Sequence, residues 1–84
     1  MNADDAPGPS VLEHARGLLL KVPVVHAATI IEDDKRYHGR ATLRLTLAEG
    51  IERVSPRILK LLYDHGLGVV DVTPQGGFLT VLAT

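Results

Sequence analysis

The densest group of residues that could do chemistry lies between positions 35 and 44. This segment alternates apolar and polar residues with a period of two, a pattern typical of a half-buried strand. The polar face of that strand would carry Arg36, His38, Arg40 and Arg44. Successive positions on one face lie about 6.5 Å apart, close to the phosphate spacing of an extended single strand. The segment is therefore a candidate site for a nucleic acid or another anionic ligand.

Acidic residues directly before this segment favour a different interpretation. Glu32, Asp33 and Asp34 occupy the expected turn, where their carboxylates are able to pair with the cations and weaken the local positive potential. A hairpin tip that is solvated or paired with itself is the more common outcome for such a mixed run of charges. Anion binding through the arginines is therefore the alternative function and not the leading one.

The histidines do not predict a metal site. They are His14, His26, His38 and His65. No two of them have the i, i+4 spacing that places two ligands on one helical turn, and the chain has no Cys to assist them. His65, next to Gly66, is typical of a helix C-terminus, where a cation interacts well with the carbonyl dipoles. We expect neither a bound metal nor a cofactor.

The residues that enzymes use are few, and their positions indicate structural roles. Ser10 and Ser55 are the only serines, and both precede helical patterns as N-cap residues would. A phosphate-binding glycine loop should follow a strand and open a helix, whereas Gly66 and Gly68 follow a helix. The sequence therefore predicts a protein that is not an enzyme.

The first half of the chain predicts a helix followed by a hairpin. Ser10 and Glu13 have capping-box spacing, and the helix that they begin must end before Pro23. A β-branched run over 24–31 and the alternating segment over 37–47 predict two strands joined by the charged turn. Residues 1–9 predict a disordered tail, because they hold Pro, Gly and Asp without apolar periodicity.

The second half repeats this plan. Ser55 and Pro56 begin a helix with a buried stripe of Ile58, Leu59 and Leu62, and Gly66 ends it. Strands over 67–73 and 78–83 follow, with residues 74–77 as the turn that pairs Thr73 with Phe78. The fold class is α+β in the order αββαββ. We expect one domain over 10–84, a two-layer sandwich of a four-stranded antiparallel sheet with both helices on one face.

The sheet face without helices would carry an apolar stripe made of Val69, Phe78 and Leu82. Three apolar side chains beside a polar strand are typical of a surface that contacts a partner. At the level of element order the chain resembles a permuted ferredoxin-like sandwich, a fold that serves several unrelated functions. The leading hypothesis is a small binding or assembly module that acts as a homodimer or with another protein.

Composition excludes several classes of protein. Nine Lys and Arg against ten Asp and Glu give the 84 residues a net charge of −1, so the chain is not a globally basic nucleic-acid binder. Without Cys there are no disulfides, and with three aromatic residues there is little material for stacking bases. No apolar run approaches the ~20 residues of a membrane span. These features predict a cytoplasmic protein that does not bind membranes.

Overall fold

The computed structural model describes residues 9–34 and 40–84, apart from the side chains at positions 9, 33, 34 and 40. These ranges contain two helices and four strands in the expected order αββαββ. The elements are α1 (Pro9–Leu19), β1 (Val25–Asp34), β2 (Arg40–Leu47), α2 (Pro56–Asp64), β3 (Val69–Gln75) and β4 (Phe78–Ala83). The predicted tail lies outside the described residues except for Pro9, which begins α1.

The four strands form one antiparallel sheet in the order β1-β2-β4-β3. Both helices lie on the same face of this sheet, because their buried residues join one core with the inward side chains of the strands. The helices contribute Leu12, Ala15, Leu19, Ile58 and Leu62 to this core, and the strands contribute Leu43, Leu45, Leu47, Val81 and Ala83 among others. The two-layer α+β sandwich is therefore confirmed, with β1 and β3 as its outer strands.

Strand β2 is central, and its sequence explains why. Leu43, Leu45 and Leu47 are fully buried against the helices, while Arg44 between them is exposed on the other face. The alternation expected from the sequence is thus confirmed from Leu43 to Leu47, whereas Thr42, two residues before Arg44, is fully buried. Strand β2 has a hydrogen-bonded neighbour on each side, and its continuous apolar face packs against the helices.

Helix α2 begins as its sequence predicts. The Ser55 hydroxyl accepts a hydrogen bond from the backbone N–H of Ile58 at 3.3 Å, and Pro56 occupies the first turn. The prediction of a buried Leu59 is wrong, because this side chain is 43% exposed. Ile58 and Leu62 are four residues apart and share one helical face, whereas Leu59 is rotated by about 100° from Ile58.

Helix α1 begins one residue earlier than the capping-box spacing predicts. Ser10 lies inside the first turn, and Glu13 forms an ion pair with Arg16, with Oε2 and Nη1 3.5 Å apart. Leu12, Ala15 and Leu19 are buried, which confirms the apolar stripe. Neither helix in the described ranges is long and apolar enough to cross a membrane.

The hairpin of β3 and β4 is tighter than expected. Its turn consists of Gly76 and Gly77, both with positive φ (55° and 88°), and Gln75 is the register partner of Phe78. The predicted pairing of Thr73 with Phe78 is therefore wrong by two residues. Two glycines with positive φ give a turn whose twist matches that of the strands. From position 71 to the turn, a shift of two residues leaves each side chain on its expected face, because the period of a strand is two.

Candidate functional site

The outer strand β3 carries exposed apolar side chains. Val70 and Val72 are 44% and 43% exposed, respectively, although the cross-strand partner of Val72 is the fully buried Val81. The helix layer that covers Val81 therefore ends before it reaches Val72. Exposed valines on an edge strand differ from scattered surface residues, because the backbone beside them is also free to pair.

An apolar groove lies beside these valines and is named here the β3 groove. It has a volume of about 460 Å³ and is lined by Gly50, Ile51, Glu52, Val72, Pro74, Gly77, Phe78 and Leu79. The loop after β2 forms one wall, and it is held against the hairpin by a hydrogen bond from the Gly50 N–H to the Gly77 carbonyl at 3.3 Å. Gly50 adopts a φ of 85°, a backbone conformation that favours glycine.

The backbone of β3 offers pairing groups at a defined position. In a hairpin with a two-residue turn, hydrogen-bonded and non-hydrogen-bonded pairs alternate outward from the turn. Gln75 and Thr73 then bond to β4, so Val72 and Pro74 direct their backbone groups to the free edge. Pro74 has no N–H, so Val72 is the residue beside the β3 groove that presents both a donor and an acceptor.

The apolar stripe predicted for the open face does not form. A register shift between Val69 and Asp71 turns Val69 towards the helices, where it packs against the core. Leu82 is only 4% exposed, and its register partners are Arg44 on β2 and Asp71 on β3. Phe78 is half-buried, with its ring centroid 5.9 Å from that of His26. Of the three predicted interface residues, Phe78 alone lines the β3 groove.

The arginine-bearing strand is described only in part. Arg36 and His38 lie outside the described residues, and Arg40 is known by its backbone, which pairs with Asp34 at the start of β2. Arg44 is exposed and lines a shallow pocket of about 140 Å³ together with Asp71, Thr73, Gln75, Thr80 and Leu82. Asp71 accepts a hydrogen bond from the Thr73 hydroxyl at 2.8 Å. The described part of this face thus mixes charges and hydroxyls.

The other outer strand, β1, has a guarded edge. The Nε of Arg16 donates a hydrogen bond to the carbonyl of Ala28 at 2.8 Å, and Glu13 pairs with the same guanidinium. A broad groove of about 590 Å³ beside this contact is lined by Glu13, Arg16, Ala28, Thr29, Ile30 and Glu32. Charged side chains therefore occupy the position where an incoming strand would have to pair.

The structure also brings together two histidines that lie far apart in the sequence. His14 in α1 and His65, the C-cap of α2, have ring nitrogens 3.2 Å apart. Their separation of 51 residues hides the contact from any search for local spacing. A prediction that the two helices pack side by side would have been the only available signal. His65 also contacts the carbonyl of Leu61, as the helix C-terminus hypothesis requires.

The two surfaces offer different kinds of contact. The β3 groove offers apolar contact and one residue with free backbone groups, and the open face offers one arginine among hydroxyls. Comparison of the chain with protein-family models, with curated proteins and with solved structures finds no match.

Proposed function

We propose that the protein is a small, non-enzymatic binding module of the cytoplasm that self-associates as a homodimer through the edge of β3. The observation that carries this proposal is Val72, which is 43% exposed on an outer strand and borders the β3 groove. Burial of apolar surface stabilises association by about 25 cal/mol per Å² before the costs of binding are subtracted. A second copy supplies both the apolar surface and the strand that this edge lacks.

A two-fold axis through Val72 satisfies the free backbone groups. In that arrangement Val72 faces Val72 of the second copy, and the two residues exchange both N–H to C=O hydrogen bonds. The two grooves then lie on the same side of an eight-stranded sheet and adjoin across the axis. Pro74 and the irregularity at Val70 limit the pairing to a short segment, which fixes its register.

Charge also favours this antiparallel arrangement. Asp71 is the only charged residue in β3. With Val72 on the axis, Asp71 lies opposite Thr73 of the second copy, so the two carboxylates do not oppose each other directly. A like-charge pair directly across two strands would destabilise the dimer.

The strand order is consistent with an assembly role by analogy alone. The order β1-β2-β4-β3 is the one that a ferredoxin-like sandwich would have after circular permutation. Sandwiches of this kind serve as ligand sensors, RNA-binding modules and assembly domains. Extension of the sheet through an outer strand requires no change within the fold.

Light scattering at several protein concentrations tests the dimer. We expect a mass approaching twice 9.0 kDa at high concentration for the wild type. Val72→Lys should give the monomer mass, because it places a charge in the groove and opposite its own copy. Leu59→Lys is the matched control, since Leu59 is also 43% exposed but lies on α2. A monomer at all concentrations, or a dimer that survives Val72→Lys, would contradict the proposal.

A second candidate function is the binding of an anionic ligand at Arg44. The observation in its favour is that Arg44 shares its pocket with the polar side chains of Thr73, Gln75 and Thr80. If Arg36 and Arg40 act with Arg44, three phosphate contacts give a salt slope of about −2 for a single strand. Titration of an oligonucleotide should then show binding that is lost in Arg44→Glu and kept in Arg57→Glu, which changes an exposed arginine of α2.

A further inference from the structure

Two features define the contact between His14 and His65: the distance between the facing nitrogens and the orientation of the two rings. The Nδ1 of His14 and the Nε2 of His65 are 3.2 Å apart. The two rings meet edge to face, with centroids 5.2 Å apart and planes inclined by 62°. Each ring therefore directs one nitrogen into the same small volume between α1 and α2.

Hydrogen bonding determines which nitrogen of His65 is free. Its Nδ1 lies 2.7 Å from the carbonyl oxygen of Leu61. Because a carbonyl oxygen only accepts, Nδ1 carries the proton, and in the neutral ring Nε2 has an unprotonated lone pair. That lone pair faces Nδ1 of His14, so one proton is shared between the two facing nitrogens.

We propose that His14 and His65 form a two-histidine binding site for a borderline divalent metal ion, with Zn²⁺ as the reference ion. Zinc binds imidazole nitrogen at about 2.0–2.1 Å, so two tetrahedral ligands have nitrogens about 3.3 Å apart. The observed 3.2 Å matches this separation. A metal-binding histidine typically donates its other N–H to a carbonyl or carboxylate, as His65 does to Leu61.

When the metal replaces the shared proton, the neutral pair of histidines keeps the same total number of protons. The metal displaces the shared proton, lies to one side of the line between the two facing nitrogens, and accepts the lone pairs of both. His14 then carries its proton on Nε2 instead of Nδ1, and His65 keeps its proton on Nδ1. The exposure of His14 leaves room for this change of tautomer.

Water would complete the coordination. The carboxylates of Glu13 and Asp64, next in sequence to the two histidines, already pair with Arg16 and Lys60 at 3.5 and 3.3 Å. Within 9–34 and 40–84 there is no group of three or more metal-binding side chains. The site therefore has two protein ligands and open positions, which predicts moderate affinity and access for an external ligand.

Calorimetric titration of the full chain without an affinity tag, using Zn²⁺ alone, tests the site. We expect one ion per chain for the wild type and for the control His26→Ala, because His26 is an exposed histidine whose ring neighbour is Phe78. His14→Ala and His65→Ala should each weaken binding by about tenfold or more, a loss typical of a disturbed metal site. Wild-type affinity in His14→Ala, or no saturation of the wild type at millimolar Zn²⁺, would overturn the proposal.

A measurement on the wild type keeps the test independent of variant folding. Long-range ¹H–¹⁵N spectra resolve the ring nitrogens of each histidine, and Zn²⁺ should move Nδ1 of His14 and Nε2 of His65 together. A metal that bridges α1 and α2 should also raise the melting temperature of the wild type and of His26→Ala. Shifts confined to His26 or His38 would place the metal elsewhere and overturn the assignment.

Discussion

The two outer strands, β1 and β3, differ in what lies against their free edges. On β1, the guanidinium of Arg16 bonds to the carbonyl of Ala28, and acidic residues flank the contact. On β3, the free edge at Val72 adjoins the apolar β3 groove. An exposed edge is a template for unwanted pairing, and charge, proline and bulges are the usual defences. Charge protects the ten-residue β1 from unwanted pairing, whereas Pro74 and a bulge protect the seven-residue β3.

Protection of a strand edge against unwanted pairing is therefore a separate property from the specificity with which that edge pairs. A charged guard such as Arg16 prevents pairing along the part of β1 that it covers. Proline and a bulge leave a short segment free, and a segment with one register suits a specific partner better than a long flat edge would. The proposed dimer therefore uses β3.

The largest expected effect comes from the same truncation on the two strands. Val25 of β1 is buried under the helices, whereas Val72 of β3 is largely exposed. We expect Val25→Ala to lower the free energy of unfolding by about 2 kcal/mol, because two buried methyl groups are lost and a cavity remains. Val72→Ala should stay within about 0.5 kcal/mol. Denaturant midpoints at low protein concentration, where the monomer dominates, provide the measurement, and equal midpoints would show that β3 is as well covered as β1.

The comparison of the edges depends on details that the sequence does not reveal. The alternation around Leu43 and the cap at Ser55 are local patterns, so they were predictable. The bulge that turns Val69 inward was not, because the run over 69–72 reads equally well in either register. The turn over 74–77 was also ambiguous, since its chemistry suits a loop of two or of four residues.

The candidate sites were harder to predict than the fold. The burial of Leu82 depends on its neighbours on β2 and β3, which belong to distant parts of the chain. The contact between His14 and His65 depends on the packing of two helices. Sequence spacing records neither, because both arise when the elements come together. Composition alone excludes cysteine-based metal centres, because the chain has no Cys.

Substitution of two glycines, one in α1 and one in the turn after β3, should change the free energy of unfolding by a smaller amount. Gly17 lies in α1, where an added Cβ meets nothing within 4 Å, so Gly17→Ala should stabilise by about 0.5–1 kcal/mol through helix propensity. Gly77 has a φ of 88° in the turn of the β3 hairpin, so Gly77→Ala should destabilise by about 1 kcal/mol. Thermal unfolding of both variants measures the signs. A Gly77→Ala variant that is not destabilised would mean that the hairpin turn does not require its left-handed conformation.

The smallest expected effect on stability, and the sharpest test of the comparison, concerns the guard on β1. Arg16→Met keeps an apolar stem of similar length but removes the hydrogen bond to Ala28. The Arg16 side chain is 39% exposed, so the loss should be about 0.5 kcal/mol, at the low end for a single hydrogen bond. Arg57→Met is the control, because Arg57 is an exposed arginine of α2.

The informative readout for Arg16→Met is the mass in solution. If Arg16 guards the edge and the chain pairs through β3 as proposed, its removal adds a second pairing edge, and species larger than the dimer should form as concentration rises. Combining it with Val72→Lys should reduce these species to a dimer that uses β1 alone. An unchanged mass in Arg16→Met would show that the acidic residues near Glu32, rather than the arginine, keep β1 from pairing. The edges would then still differ, but through repulsion between like charges instead of through an occupied carbonyl.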